Sequence, residues 1–141
     1  ITDKGYYDNS FHVSSHININ PFEKLRLEAL GHQYSKGGHI SYIETDSLKN
    51  NLEAIIEILR YAKEIGIHYM GINQPVDKCH VCGFKGAFLA TERGFECPQC
   101  GNHENDKMSV IRRVCGYLSQ PNARPFNKGK QKEIISRVKH N

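Results

Sequence analysis

Residues 79–101 read CHVCGFKGAFLATERGFECPQCG. Two Cys-x-x-Cys-Gly units, Cys79/Cys82/Gly83 and Cys97/Cys100/Gly101, stand fourteen residues apart. Each unit predicts a tight turn that aims two sulfurs at one centre, and the glycine after its second cysteine accepts the backbone angle that such a turn imposes. Four thiolates complete a tetrahedral metal site. Zn2+ is the first expectation, and an Fe(Cys)4 centre is the alternative, because the same knuckles bind iron. Four sulfurs leave no coordination position open, so the metal is expected to be structural. His80 and His103 are surplus to it and read as exposed loop histidines. Between the pairs, Ala87–Thr91 and Phe95-Glu96 predict a hairpin turning at Arg93-Gly94. The result is a zinc ribbon over residues 76–104. So small a ribbon has little core, and its metal should supply most of its folding energy.

The chain around this knot has 141 residues, 38% hydrophobic and 9% aromatic, which is lean but globular. No apolar run is long enough to span a membrane, and no signal-peptide pattern opens the sequence. With five cysteines, a disulfide framework would always leave one over. Two Cys-x-x-Cys pairs read instead as reduced metal ligands in a cytoplasmic protein. The sequence starts at Ile1 without a methionine, and a fragment of a longer protein is expected. Charge is uneven: residues 1–101 carry 10 Lys/Arg against 12 Asp/Glu, and residues 102–141 carry 9 against 3. A basic tail invites nucleic acid or phosphorylated small molecules, or is simply a solvated face.

Upstream, Asn20-Pro21-Phe22-Glu23 predicts a helix start, with Asn20 as cap and Pro21 in the first turn. That helix is expected to stop at Gly31. His39–Ile43 alternates like a strand. A second helix, capped by Asp46 or Ser47, places Leu48, Leu52, Ile55, Ile56, Leu59, Ala62 and Ile65 on one face and ends at Gly66. Ile67–Ile72 reads as the next strand. Strand, helix and strand make one βαβ unit with parallel strands, hence an α/β architecture. Two strands cannot close a core, so residues 1–75 require strands that the sequence does not contain. His39 and His68 fall in strand candidates and read as hydrogen-bonded packing residues.

Downstream, Arg112-Arg113-Val114-Cys115-Gly116-Tyr117-Leu118 is followed by Pro121, Ala123-Arg124-Pro125-Phe126 and Lys128-Gly129-Lys130. Asn127 caps a closing helix with Ile134, Ile135 and Val138 as its apolar stripe. Placed after a four-cysteine ribbon and before a basic helix, this heptapeptide resembles the radical-bearing loop of the glycyl radical enzymes. More narrowly, the chain resembles the C-terminal part of the anaerobic (class III) ribonucleoside-triphosphate reductases along essentially its whole length.

The resemblance implies that residues 1–75 are the C-terminal part of a ten-stranded α/β barrel and 76–104 the zinc ribbon. Residues 105–141 are then the glycyl radical loop and C-terminal helix. Gly116 would carry the radical. Glycine suits this chemistry, because a planar α-carbon radical delocalises onto both neighbouring amides and a side chain would crowd it. A radical-SAM activase with a [4Fe-4S] cluster would take the hydrogen. In the complete enzyme, expected to be a homodimer, the radical passes to a barrel cysteine, and that thiyl attacks the 3′ hydrogen of a ribonucleoside triphosphate. The 2′-hydroxyl leaves as water, with formate as reductant, to give a 2′-deoxyribonucleotide. The thiyl-forming cysteine belongs to an upstream part, so this chain is incomplete alone. Cys115 reads as a small apolar loop residue. Tyr7-x-Asn9-Ser10-x-His12 resembles a phrase near the active-site cavity of these enzymes, although by themselves Ser10 and His12 read as turn and surface positions. Two other readings remain: a nucleic-acid-binding zinc-ribbon module, and a stand-alone glycyl radical spare-part protein. Against the first, the tail interleaves its charges with few aromatics, Tyr117 and Phe126.

Overall fold

The computed structural model of the chain describes residues 3–7, 12–35, 37–48, 50–114, 117–120 and 126–140. They fall into two compact units, one of residues 8–74 with 138–141 and one of residues 1–7 with 75–137.

The first unit is a βαβ motif preceded by a helix. Helix α1 spans Pro21–His32. Asn20 Oδ1 accepts the Glu23 N–H at 2.8 Å, satisfying one of the orphan donors of the first turn. The helix runs through Gly31 rather than stopping there, and the Gln33 N–H closes it onto the Gly31 carbonyl. Strand β1, Ser41–Glu44, is followed by helix α2, Leu52–Glu64, and strand β2, Met70–Asn73. The two strands pair in parallel, Ser41 opposite Met70 and Ile43 opposite Ile72. Helix α2 starts later than Asp46 or Ser47, because Asn51 supplies the cap, accepting from Ala54 N–H at 3.1 Å. Leu48 therefore lies before the helix, its N–H donated to Gln74 Oε1. Leu25, Ile43, Ile58 and Ala62 form the core. The outer ridge of α2 is uncovered: Leu52, Ile56 and Leu59 are 66%, 46% and 47% exposed. His140 closes the unit, its N–H donated to the Glu44 carbonyl and its Nδ1 accepting the Glu44 N–H.

The second unit holds the four cysteines. Strands β3, Asp77–Cys79, and β4, Lys85–Gly86, pair antiparallel. A hairpin of β5, Leu89–Thr91, and β6, Gly94–Glu96, follows, pairing Ala90 with Phe95 as the ribbon pattern predicts. A single 3-10 turn, Asn105–Lys107, leads into β7, Met108–Ser109, which pairs with the other edge of β3. Strands β8, Arg112–Val114, and β9, Tyr117–Ser119, then pair antiparallel with each other. Helix α3, Lys128–Ser136, ends the unit, with Asn127 Oδ1 capping the Lys130 N–H at 2.9 Å. Phe88, Phe95, Met108 and Val110 are buried with Cys79 and Cys97, and Ile134 packs against them. The predicted stripe of α3 is thus reduced to Ile134, since Ile135 is exposed and Val138 lies beyond the helix end. Among the described residues no helix is long and apolar enough to cross a membrane.

Candidate metal centre

The two cysteine knuckles share one backbone pattern. In the first, Gly83 N–H donates to the Cys79 carbonyl and Cys79 N–H to the Phe84 carbonyl. In the second, Gly101 N–H donates to the Cys97 carbonyl and Cys97 N–H to the Asn102 carbonyl. Both glycines have positive φ, 77° at Gly83 and 70° at Gly101. A side chain there would be strained, which is why each knuckle carries glycine.

These turns bring all four sulfurs together. Cys79 Sγ lies 3.7 Å from Cys100 Sγ, and Cys82 Sγ lies 3.6 Å from Cys97 Sγ. Sulfurs held about 2.3 Å from one tetrahedral ion stand about 3.8 Å from each other, whereas a disulfide joins them at about 2.0 Å. The spacing therefore fits Zn2+ or another tetrahedral thiophilic ion and not a pair of disulfides. Asn102 Nδ2 approaches Cys79 Sγ at 3.7 Å, a donor that moderates thiolate charge. His80 and His103 stand outside the ligand group: His80 Nε2 pairs with Ser109 Oγ, and His103 Nδ1 with the Gly101 carbonyl.

The electrostatics point the same way. Amide donors at Cys82 and, against the effect of burial, at Val81 pull the Cys79 thiol down to about 6. At Cys100 an amide donor at Asn102 favours the thiolate, but burial and the three neighbouring sulfurs outweigh it and push the thiol up to about 12. One thiolate forms readily, and Cys82 and Cys100 beside it resist ionising. A divalent cation removes that conflict by neutralising the shared charge.

A buried carboxylate connects this centre to the strands after it. Asp77 is 1% exposed and lies two residues before Cys79. Its Oδ2 accepts the Phe88 N–H at 2.8 Å. Its Oδ1 accepts the Ile111 N–H at 3.3 Å and pairs with the Arg112 guanidinium. Arg112 also donates to the Phe88 carbonyl and stands 4.9 Å over the Phe95 ring, a cation–π contact. On the next residue of β8, the Arg113 carbonyl accepts from Arg137 Nη1 at 3.0 Å, and Arg137 pairs with buried Glu133. None of Asp77, Arg112, Glu133 and Arg137 is legible as a site residue: Asp77 and Arg112 lie 35 positions apart, and Glu133 and Arg137, at i,i+4 spacing, read as an ordinary helical ion pair.

Cys115, Gly116 and Ser10 lie outside the described residues. His12 is described, and it is grouped with Glu28 and His39 rather than standing on the surface. The His32 ring meets those of His39 and His68 edge-on; His39 is buried, whereas His68 is exposed rather than packed.

Residues 1–140 match the family described as Anaerobic ribonucleoside-triphosphate reductase. The enzyme of that name from Enterobacteria phage T4 is 52% identical over 140 residues, covering 99% of this chain and 23% of the phage protein. Those of Haemophilus influenzae and Escherichia coli K12 are each 48% identical over 99% of this chain and 20% of their own lengths. The chain thus spans about a fifth of the length of the curated relatives it matches. With its four-sulfur centre and near-complete match, the chain belongs to the anaerobic ribonucleoside-triphosphate reductase family.

Proposed function

We propose that this chain is the radical-bearing C-terminal part of an anaerobic ribonucleoside-triphosphate reductase. Gly116 carries a stable glycyl radical used to convert ribonucleoside triphosphates to 2′-deoxyribonucleotides, with formate as reductant. One observation carries the reading: in a chain of this family, a four-cysteine centre leads directly into two antiparallel strands, β8 and β9, that bracket positions 115 and 116 in sequence.

In this reading residues 1–75 contribute to the α/β barrel, 76–104 form the ribbon, and 105–141 hold the radical loop and closing helix. The bare ridge of Leu52, Ile56 and Leu59 is the surface that the remaining barrel would cover. Cys79, Cys82, Cys97 and Cys100 hold a structural zinc. A radical-SAM activase removes one hydrogen atom from the Gly116 α-carbon, leaving an unpaired electron spread over the flanking amides. The chain's own part is positional: Asp77 and Arg112 tie the start of β8 to the ribbon, so metal binding and the approach to Gly116 are one mechanical assembly. The thiyl-forming cysteine belongs to the upstream part. A nucleic-acid-binding ribbon has less support, because the structure engages Arg112 and Arg137 with Asp77 and Glu133 inside the unit.

The test is anaerobic electron paramagnetic resonance. The chain and the upstream part of the reductase are mixed with activase, S-adenosylmethionine and a reductant. A carbon-centred signal that narrows when glycine is α-deuterated, and is absent in Gly116→Ala, is expected. With an active activase and an intact metal centre, no signal would reduce Gly116 to an ordinary turn residue.

A further inference from the structure

A second group of side chains that could hold a metal ion lies in the unit of residues 8–74 with 138–141. His12, Glu28 and His39 offer ligand atoms that all lie within 4.8 Å of one another. His12 Nδ1 is 3.5 Å from Glu28 Oε2. That is long for a hydrogen bond, and it is about the separation of two ligands each about 2.1 Å from one tetrahedral ion. The rings of His12 and His39 stack at 5.2 Å and 16°. Glu28 and His39 are buried, and the side chain of His12 is 13% exposed.

The carboxylate is held for this role by the groups around it. Glu28 Oε1 accepts the Val13 N–H at 2.9 Å and the Lys24 ammonium. Among the described residues, Oε2 has no partner at hydrogen-bond distance, and it faces His12. A relay supports the carboxylate from behind. The His68 N–H donates to His32 Nδ1, so the neutral His32 ring carries its proton on Nε2, which donates to Ser41 Oγ at 3.0 Å. Ser41 in turn favours the ionised Glu28 carboxylate. Metal-ligating carboxylates are oriented by outer hydrogen bonds of this kind.

We infer that His12, Glu28 and His39 form a second metal site, for a divalent transition cation of the zinc or ferrous-iron class, with a coordination position left open. Two imidazoles and one carboxylate suit these borderline ions and not Ca2+ or Mg2+, which take oxygen sets. Three protein ligands leave room for water or an added ligand, unlike the closed four-sulfur centre. The Lys24 ammonium on the far carboxylate oxygen opposes a cation, so the site binds more weakly than the cysteines.

The probe is Co2+, added anaerobically to the chain after one equivalent has filled the cysteines. A second equivalent is expected, with weak d–d bands of nitrogen and oxygen ligands and no new thiolate charge-transfer band. Zn2+ should displace it. His39→Phe and His12→Gln should each weaken the second equivalent at least tenfold, and Ser41→Ala about tenfold. The thiolate–Co2+ band and the helical circular dichroism should stay unchanged, which reports that the variants fold. In the unaltered chain, Co2+ should selectively broaden or shift the amide resonances of Val13 and His39. Binding of only one equivalent up to millimolar Co2+ would overturn the assignment. So would a second equivalent that survives both histidine substitutions or perturbs other amides, since that is adventitious binding elsewhere.

Discussion

Single side chains decide two separate properties of this protein. At the metal centre, each cysteine supplies one of four sulfurs and no other described group is in reach to replace it. Cys97→Ser should therefore bind less than a tenth of the wild-type zinc under the same chelator challenge, read by metal analysis, while helix α2 keeps its dichroism. Retention of full stoichiometry would remove Cys97 from the ligand set. At Glu28, burial alone would raise the carboxyl pKa, but the nearby His12 ring, the charge and hydrogen bond of Lys24, and Ser41 lower it to about 2. A folded pKa below the ordinary 4.5 contributes stability that is present above about pH 4.5 and is lost as pH falls toward 2. The contribution at neutral pH is on the order of 3 kcal/mol. Glu28→Gln also leaves Lys24 buried without its counter-charge. The variant should thus unfold in less urea at pH 7, and its stability gap from wild type should close between pH 4.5 and 2. A gap that stays constant over that range would show that the ionised carboxylate is not its cause.

Among the elements, β8 has the most consequential attachments. Asp77 and Phe88 hold its first arginine, and Arg137 holds the carbonyl of its second. Arg112→Ala strands the buried Asp77 carboxylate, which should cost the ribbon unit about 3 kcal/mol while zinc stoichiometry is kept. Thermal unfolding followed by tyrosine fluorescence, with metal analysis alongside, checks this. The same variant should give a lower radical yield in the resonance experiment if β8 positions Gly116, and an unchanged yield would confine Arg112 to stability. Helix α2 poses a simpler case. Its cap is Asn51, and Asn51→Ala should destabilise the βαβ unit by about 1 kcal/mol, whereas Ser47→Ala should be close to neutral. Equal effects in urea titrations would contradict the cap. The sequence pointed to Asp46 or Ser47 as the cap of α2, and Asn51 is a residue type that caps equally well. Leu48 decides the matter by donating its amide to Gln74, a residue 26 positions away.

On the scale of the whole molecule, the exposed ridge of Leu52, Ile56 and Leu59 is the surface proposed to meet the rest of the reductase. Hydrogen exchange along residues 52–64 should slow when the chain is combined with the upstream part of the reductase, as apolar surface leaves water. Exchange unaltered by that partner would mean the ridge is not the contact surface. Much of this protein is determined by its sequence alone. The ribbon follows from four cysteines and two glycines whose spacing is set by ligand geometry. The βαβ order follows from a 3.6-residue apolar period between two strand-like runs, and the Asn20 and Asn127 caps follow from local hydrogen bonding. These are short-range effects, legible because their causes lie within a few residues of each other. Tertiary structure alone decided where the charged residues went. Asp77 meets Arg112 across 35 positions, and His12, Glu28 and His39 converge from a loop, a helix and the approach to a strand. Helix α1 turns Lys24, Glu28 and His32 inward, so its buried face is largely polar and leaves no apolar period to read. Buried charges are fixed by partners rather than by pattern, and partners distant in sequence are known only once the chain has folded.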